Sequence, residues 1–103
     1  MGSHKITRYR DKKGKFHREE GKPAVIHPDG SKLWYWHGLL HRINGPAVIW
    51  SDGHMAWYWY GDRHRIDGPA RILPNGKIEY WVDNRFIEVP KNCLFVGWTK
   101  EEQ

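Results

Sequence analysis

Cysteine is nearly absent: Cys93 stands alone in 103 residues, which excludes a disulfide framework within the chain. A lone thiol suits a reducing compartment. Long apolar runs are absent too. No stretch approaches the roughly 20 residues of a membrane-spanning helix, and none has the apolar core of a secretory signal. These absences predict a soluble, cytoplasmic protein with no transmembrane segment. Helical periodicity is also missing, since nothing longer than a turn repeats apolar residues at intervals of three and four. Acidic side chains are outnumbered, 12 against 17 Lys and Arg, for a net charge of +5. That excess is local. Lys5, Arg8, Arg10, Lys12, Lys13 and Lys15 face only Asp11 within residues 1–16, and the rest of the chain is balanced. Met1-Gly2-Ser3-His4 reads as a tag remnant and is set aside.

Aromatic residues are abundant: seven Trp, five Tyr and three Phe. Such a chain can bury large area per residue and is not disordered. The aromatics recur with a period. His41-Arg42-Ile43-Asn44-Gly45-Pro46-Ala47 returns as His64-Arg65-Ile66-Asp67-Gly68-Pro69-Ala70. It is preceded by His17-Arg18-Glu19-Glu20-Gly21-Lys22-Pro23-Ala24, where Lys22 is one inserted residue. Ala24, Ala47 and Ala70 stand 23 residues apart, as do Gly30, Gly53 and Gly76. A period of this length predicts stacked repeats, in which each unit builds its core against its neighbours.

Each unit carries two turn signals. Asp29-Gly30, Asp52-Gly53 and Asn75-Gly76 are hairpin dipeptides in which both residues tolerate positive φ. His37-Gly38, Tyr60-Gly61 and Asp83-Asn84 form the second set. Short strands fall between them. The expected fold is all-β: one elongated, twisted antiparallel sheet of three 23-residue hairpin repeats. Residues 1–16 form a basic arm and half-repeat, 17–87 the repeats, and 88–103 a C-terminal cap with a strand at Cys93–Trp98. Alternation along the strands places Ala24, Ala47 and Ala70 on a core face with Trp34, Trp36, Trp57 and Trp59. Val25, Val48 and Arg71 then share the opposite, water-facing side with Tyr35, Tyr58 and Trp81.

Gly38-Leu39-Leu40-His41, Gly45-Pro46-Ala47, Asp52-Gly53 and Trp57-Tyr58 follow one another in the order of a MORN repeat. The chain resembles that family over about residues 14–87. It departs from the ordinary pattern in one consistent way, with His-Arg-x-x-Gly-Pro-Ala in place of an immediate Gly-x-Gly. This is similar to the variant found in phages, large DNA viruses and bacterial antitoxin-like proteins. The resemblance implies a ribbon of antiparallel hairpins without catalysis of its own. It also implies a scaffold that binds another protein, as an antitoxin, immunity protein or phage-encoded inhibitor in the host cytoplasm.

A residue present once per repeat belongs to the construction of the repeat. His17, His41 and His64, with Arg18, Arg42 and Arg65, are therefore expected to hold the hairpin corners. Catalysis needs one site with divided roles, and three equivalent sites do not supply it. The three His lack the spacing of a metal site, so no metal or cofactor is expected. The expected partner-binding set is Tyr35, Tyr58, Trp81, Val25, Val48 and Arg71, since exposed Tyr and Trp dominate binding hot spots. The alternative is nucleic acid or an anionic surface, met by Arg8, Arg10, Lys12, Lys13 and Lys15 with the aromatics stacking bases. A free sheet edge also leaves room for a homodimer.

Overall fold

The computed structural model describes residues 5–88. The described chain is all-β, with strands β1 (Thr7–Arg8), β2 (Val25–Ile26), β3 (Lys32–Leu33), β4 (Tyr35–Trp36), β5 (Leu39–Leu40) and β6 (Val48–Ile49). They continue as β7 (Met55–Ala56), β8 (Tyr58–Trp59), β9 (Asp62–Arg63), β10 (Arg71–Ile72), β11 (Ile78–Val82) and β12 (Arg85–Ile87). Eight form one open antiparallel sheet in the order β1-β2-β3-β6-β7-β10-β11-β12, while β4-β5 and β8-β9 are separate hairpins. No described helix is long and apolar enough to cross a membrane. The expected cap strand Cys93–Trp98 lies outside the described residues.

The two sets of turns differ in kind. At the first, only Gly30, Gly53 and Gly76 have positive φ, from 90° to 99°, and Asp29, Asp52 and Asn75 do not. The expected two-residue turn with both φ positive is therefore replaced by a three-residue loop closed by glycine. The side chain supplies what the backbone lacks: Asp29 Oδ1 accepts from Ser31 N–H, Asp52 Oδ1 from His54 N–H and Asn75 Oδ1 from Lys77 N–H. At the second set both residues are left-handed: His37 and Gly38, Tyr60 and Gly61, Asp83 and Asn84. A left-handed residue with a side chain costs about 1 kcal/mol or more, so something must hold His37 and Tyr60 there.

The core corrects the expected faces. Ala24, Ala47 and Ala70 are fully buried, and Trp34 nearly so, as the alternation predicts, but Trp36 and Trp57 are half-buried and Trp59, expected in the core, is exposed because it lies in the separate β8-β9 hairpin. Val25 and Val48, expected to face water, are only 6% and 5% exposed. With Leu33 and Ala56 they form the central apolar cluster, and Tyr35, Tyr58, Leu40, Phe16 and Ile6 pack against it. Strand pairing explains this. Cross-strand partners align Arg8, Val25, Leu33, Val48, Ala56, Arg71 and Glu79 in one row across the sheet. Beyond Leu33 and Ala56 the chain leaves the large sheet and forms the β4-β5 and β8-β9 hairpins, whose Tyr35, Leu40 and Tyr58 close over that row. Alternation in a flat sheet leaves one face wet; a sheet whose hairpins turn back buries both.

Burying an ionised carboxylate costs several kcal/mol, a large share of a domain's roughly 5–15 kcal/mol. Val48→Asp should therefore abolish the cooperative thermal transition seen by circular dichroism. Ile43→Asp, at a position 74% exposed, should change stability by no more than about 0.5 kcal/mol. Similar melts for the two variants would contradict this assignment of the core.

Candidate functional site

The recurring residues assemble into one corner, and each has a distinct job. The Arg42 guanidinium lies 3.8 Å from the centroid of Trp34, and Arg65 lies 4.1 Å from that of Trp57. Arg18 covers Tyr9 at 3.8 Å, so the half-repeat before the first full copy uses the same device. Each guanidinium donates from Nη1 to a proline carbonyl: Arg18 to Pro23, Arg42 to Pro46 and Arg65 to Pro69, at 3.1–3.2 Å. Glycine makes room for it. A Cβ on Gly45 would lie 3.1 Å from Arg42 Cζ, and one on Gly68 would lie 2.8 Å from Arg65 Cζ. The alanine after the proline is closed in by the sheet ladder, where Trp34 N–H donates to Ala47 C=O and Trp57 N–H to Ala70 C=O. In the first copy Lys22 lengthens the loop, Glu20 and Gly21 turn left-handed, and Trp34 Nε1–H donates to the Gly21 carbonyl.

The histidines hold the second turn of the neighbouring hairpin. His17 Nδ1 accepts the His37 N–H, His41 Nδ1 the Tyr60 N–H and His64 Nδ1 the Asp83 N–H, at 2.9–3.0 Å. These are the first left-handed residues of each turn. The rings add a stack: His17 on His37 at 3.8 Å and His41 on Tyr60 at 3.9 Å. An Nδ1 that accepts carries no hydrogen, so these bonds place the ring hydrogen on Nε2. His17 uses that hydrogen toward Glu19 at 2.6 Å. Burial holds the His41 pKa below its usual 6.5. Among the described residues, no three His, Cys, Asp or Glu side chains converge as a metal site.

The six expected partner-binding residues do share one side of the sheet, but that side is the closed one. Val25, Val48, Tyr35 and Tyr58 belong to the apolar cluster or pack on it, and burial raises the Tyr35 pKa. Arg71 and Trp81 lie where the same row turns polar. Arg71 donates from Nη1 to Glu79 Oε1 at 3.2 Å and from Nε to His54 Nε2 at 3.1 Å. Trp81 Nε1–H donates to the same Glu79 oxygen at 3.0 Å, and this bond, with Arg71, lowers the Glu79 pKa. Arg63 lies over Trp81 at 4.6 Å and donates to Tyr58 Oη at 2.8 Å. Its Nε is buried without a hydrogen-bond partner among the described residues.

The basic residues near the start are built into the edge of the sheet and its turn. Arg8 lies in β1 beside Val25, Arg10 bridges to Phe16 and covers its ring at 4.9 Å, and Asp11 organises the turn between. Asp11 Oδ1 accepts from Lys13 N–H and Lys15 N–H, and its Oδ2 takes the His37 Nδ1–H at 2.6 Å. The His37 bond comes first among the causes that hold the Asp11 carboxyl at about 2. Lys12, Lys13 and Lys15 remain exposed around a permanent carboxylate.

Several large apolar side chains are exposed elsewhere, and two of them, Ile43 and Ile66, carried no role in the sequence reading. Ile43 is 74% exposed and Ile66 70%, at matching positions of successive corner loops, and Trp59, 46% exposed, lines the same groove as both. Two open grooves flank the Ile43 loop. One, of about 360 Å³, runs between the Arg18–Lys22 and Arg42–Asn44 loops over Trp34 and Trp36. The other, of about 930 Å³, runs between that loop and Arg65–Asp67 over Trp57 and Trp59. The signal was legible: a β-branched residue sits inside a polar turn twice, where the first copy has Glu19.

Three results should follow. Gly68→Ala displaces the Arg65 guanidinium and should cost about 1–2 kcal/mol by chemical denaturation, from a lost cation–π contact and hydrogen bond. In an Arg65→Ala background the same substitution should cost almost nothing further; additive losses would contradict the clamp. The third concerns pH. Because the folded pKa of His41 is depressed, its contribution is whole above 6.5 and declines as pH falls below it toward the folded value. His41→Asn keeps an acceptor without titrating, so thermal stability should fall less steeply with acid than in the wild type. Parallel slopes would contradict it.

Compared with family models, curated proteins and solved structures, the chain finds no match.

Proposed function

We propose that this chain is a MORN-like, non-enzymatic protein-binding module whose contact surface is the row of corner loops. The observation that carries the reading is the pair Ile43 and Ile66, more than two-thirds exposed, which line one groove together with Trp59. Exposed apolar residues in register mark an interaction site more strongly than scattered ones. The grooves beside them are open troughs with a common wall at Arg42, Ile43 and Asn44. That form suits a polymer better than a small molecule, which an enclosed pocket would surround. The partner-binding role first expected of Tyr35, Tyr58 and Trp81 passes to this surface, because Tyr35 and Tyr58 pack on the core and Trp81 is engaged by Glu79 and Arg63. A small module without chemistry acts by covering its partner, as the antitoxin and inhibitor resemblance suggests.

A second reading, binding of nucleic acid or an anionic surface, draws on Lys12, Lys13 and Lys15. One capture experiment separates the two. After nuclease treatment, extract of the source cells is passed over the wild type, Ile43→Asp/Ile66→Asp and Lys12→Glu/Lys13→Glu/Lys15→Glu. The reading predicts one stoichiometric protein held by the wild type and the lysine variant and lost with the isoleucine variant. Retention by the isoleucine variant, or a signal that the nuclease removes, would overturn it.

A further inference from the structure

The two grooves repeat with a pitch that selects the shape of what they hold. Each 23-residue unit contributes two strands to the large sheet: β2 and β3, then β6 and β7, then β10 and β11. At about 4.8 Å per strand, successive corner loops are about 9.6 Å apart. A polyproline II segment advances about 3.1 Å per residue with three residues per turn, so one side of it recurs every 9.3 Å or so. A β-strand shows one face every second residue, about 6.7 Å, and falls out of step with the grooves.

The chemistry of the walls agrees with the pitch. Each groove offers one accessible indole, Trp36 in the first and Trp59 in the second, beside Trp34 and Trp57, whose rings lie under the Arg42 and Arg65 guanidiniums. Aromatic-lined grooves are the usual seat of polyproline II ligands, whose apolar residues drop between rings. The backbone carbonyls of such a segment are not bonded internally and need donors. Asn44 on the common wall offers an amide N–H. Charge sets the remaining preference: Arg18, Lys22 and Arg42 against Glu20 line the first groove, and Arg42 and Arg65 against Asp67 the second. Both are basic on balance.

Building on the protein-binding reading, we infer that the corner-loop grooves bind an acidic, proline-rich segment of the partner in polyproline II form. One apolar residue enters each groove at every third position, and the remaining side chains place carboxylates beside Arg42 and Arg65. The register is fixed by Ile43, which stands between the two apolar residues.

The test uses synthetic peptides and the full chain. One peptide repeats Leu-Pro-Glu; the other has the same length and composition, with its leucines gathered into one stretch and spaced two residues apart. Binding is read from tryptophan fluorescence and from indole N–H shifts by NMR. The period-three peptide should bind at least about tenfold more tightly, move the Trp36 and Trp59 indoles, and weaken about tenfold with Ile43→Asp. Equal affinity for the two peptides, binding to neither, or displacement of the peptide by a single-stranded oligonucleotide would overturn the inference. The capture experiment decides the broader reading separately. A partner lost with Ile43→Asp/Ile66→Asp, alongside failure of both peptides, would retain the module and reject the polyproline II occupant.

Discussion

A guanidinium held between an indole face and a proline carbonyl sets the terms for everything around it. Arg42 reaches Trp34 and Pro46, and Arg65 reaches Trp57 and Pro69. Once the arginine lies there, the loop must carry glycine beneath it, because a Cβ would stand 2.8–3.1 Å from its central carbon. Proline contributes a fixed φ and a carbonyl, and its missing N–H costs nothing at the opening of a strand. The alanine beyond it sits with no exposed surface. The phrase Arg-x-x-Gly-Pro-Ala is thus one steric and electrostatic solution written out in residue types. The histidine before it extends the same corner to the next hairpin.

This corner explains how so little chain makes a two-sided core. Most strands in the described chain are two residues long, too short for pairing alone to hold them. Between the strands, side chains do the joining: imidazole to turn, guanidinium to ring, carboxylate to turn amide. The β4-β5 and β8-β9 hairpins can then leave the large sheet and cover Val25, Leu33, Val48 and Ala56. The same closure uses up the aromatic row facing inward. Apolar contact area is left over on the outside, at the loops where Ile43 and Ile66 stand.

Much of this was legible in the sequence. The all-β class and the strand positions among the described residues follow from alternation and turn chemistry, while the face assigned to Trp59 does not hold. His17, His41, His64, Arg18, Arg42 and Arg65 make their contacts at the hairpin corners. What alternation does not carry is curvature. Val25 and Val48 read as half-wet because Arg71 occupies the third equivalent position, and a charged residue there suggests water. In the fold Arg71 is instead satisfied by Glu79 and His54, so a charge in one copy did not expose its counterparts. The basic run from Arg8 to Lys15 reads as an arm and half-repeat, and it enters the sheet through β1 and the Arg10–Phe16 bridge. Its pairing was carried by quieter residues: Asp11, which closes a turn, and Phe16, which bridges to Arg10.

The central claim is that histidines accepting at Nδ1 fasten each left-handed turn to the preceding corner. Long-range proton–nitrogen correlation NMR of the imidazole rings tests it most directly. At neutral pH, His17, His41 and His64 should each show an unprotonated Nδ1 and a hydrogen on Nε2, with slowed exchange of the His37, Tyr60 and Asp83 amide protons. A hydrogen on Nδ1 in these rings, or rapid exchange at those three amides, would contradict the account.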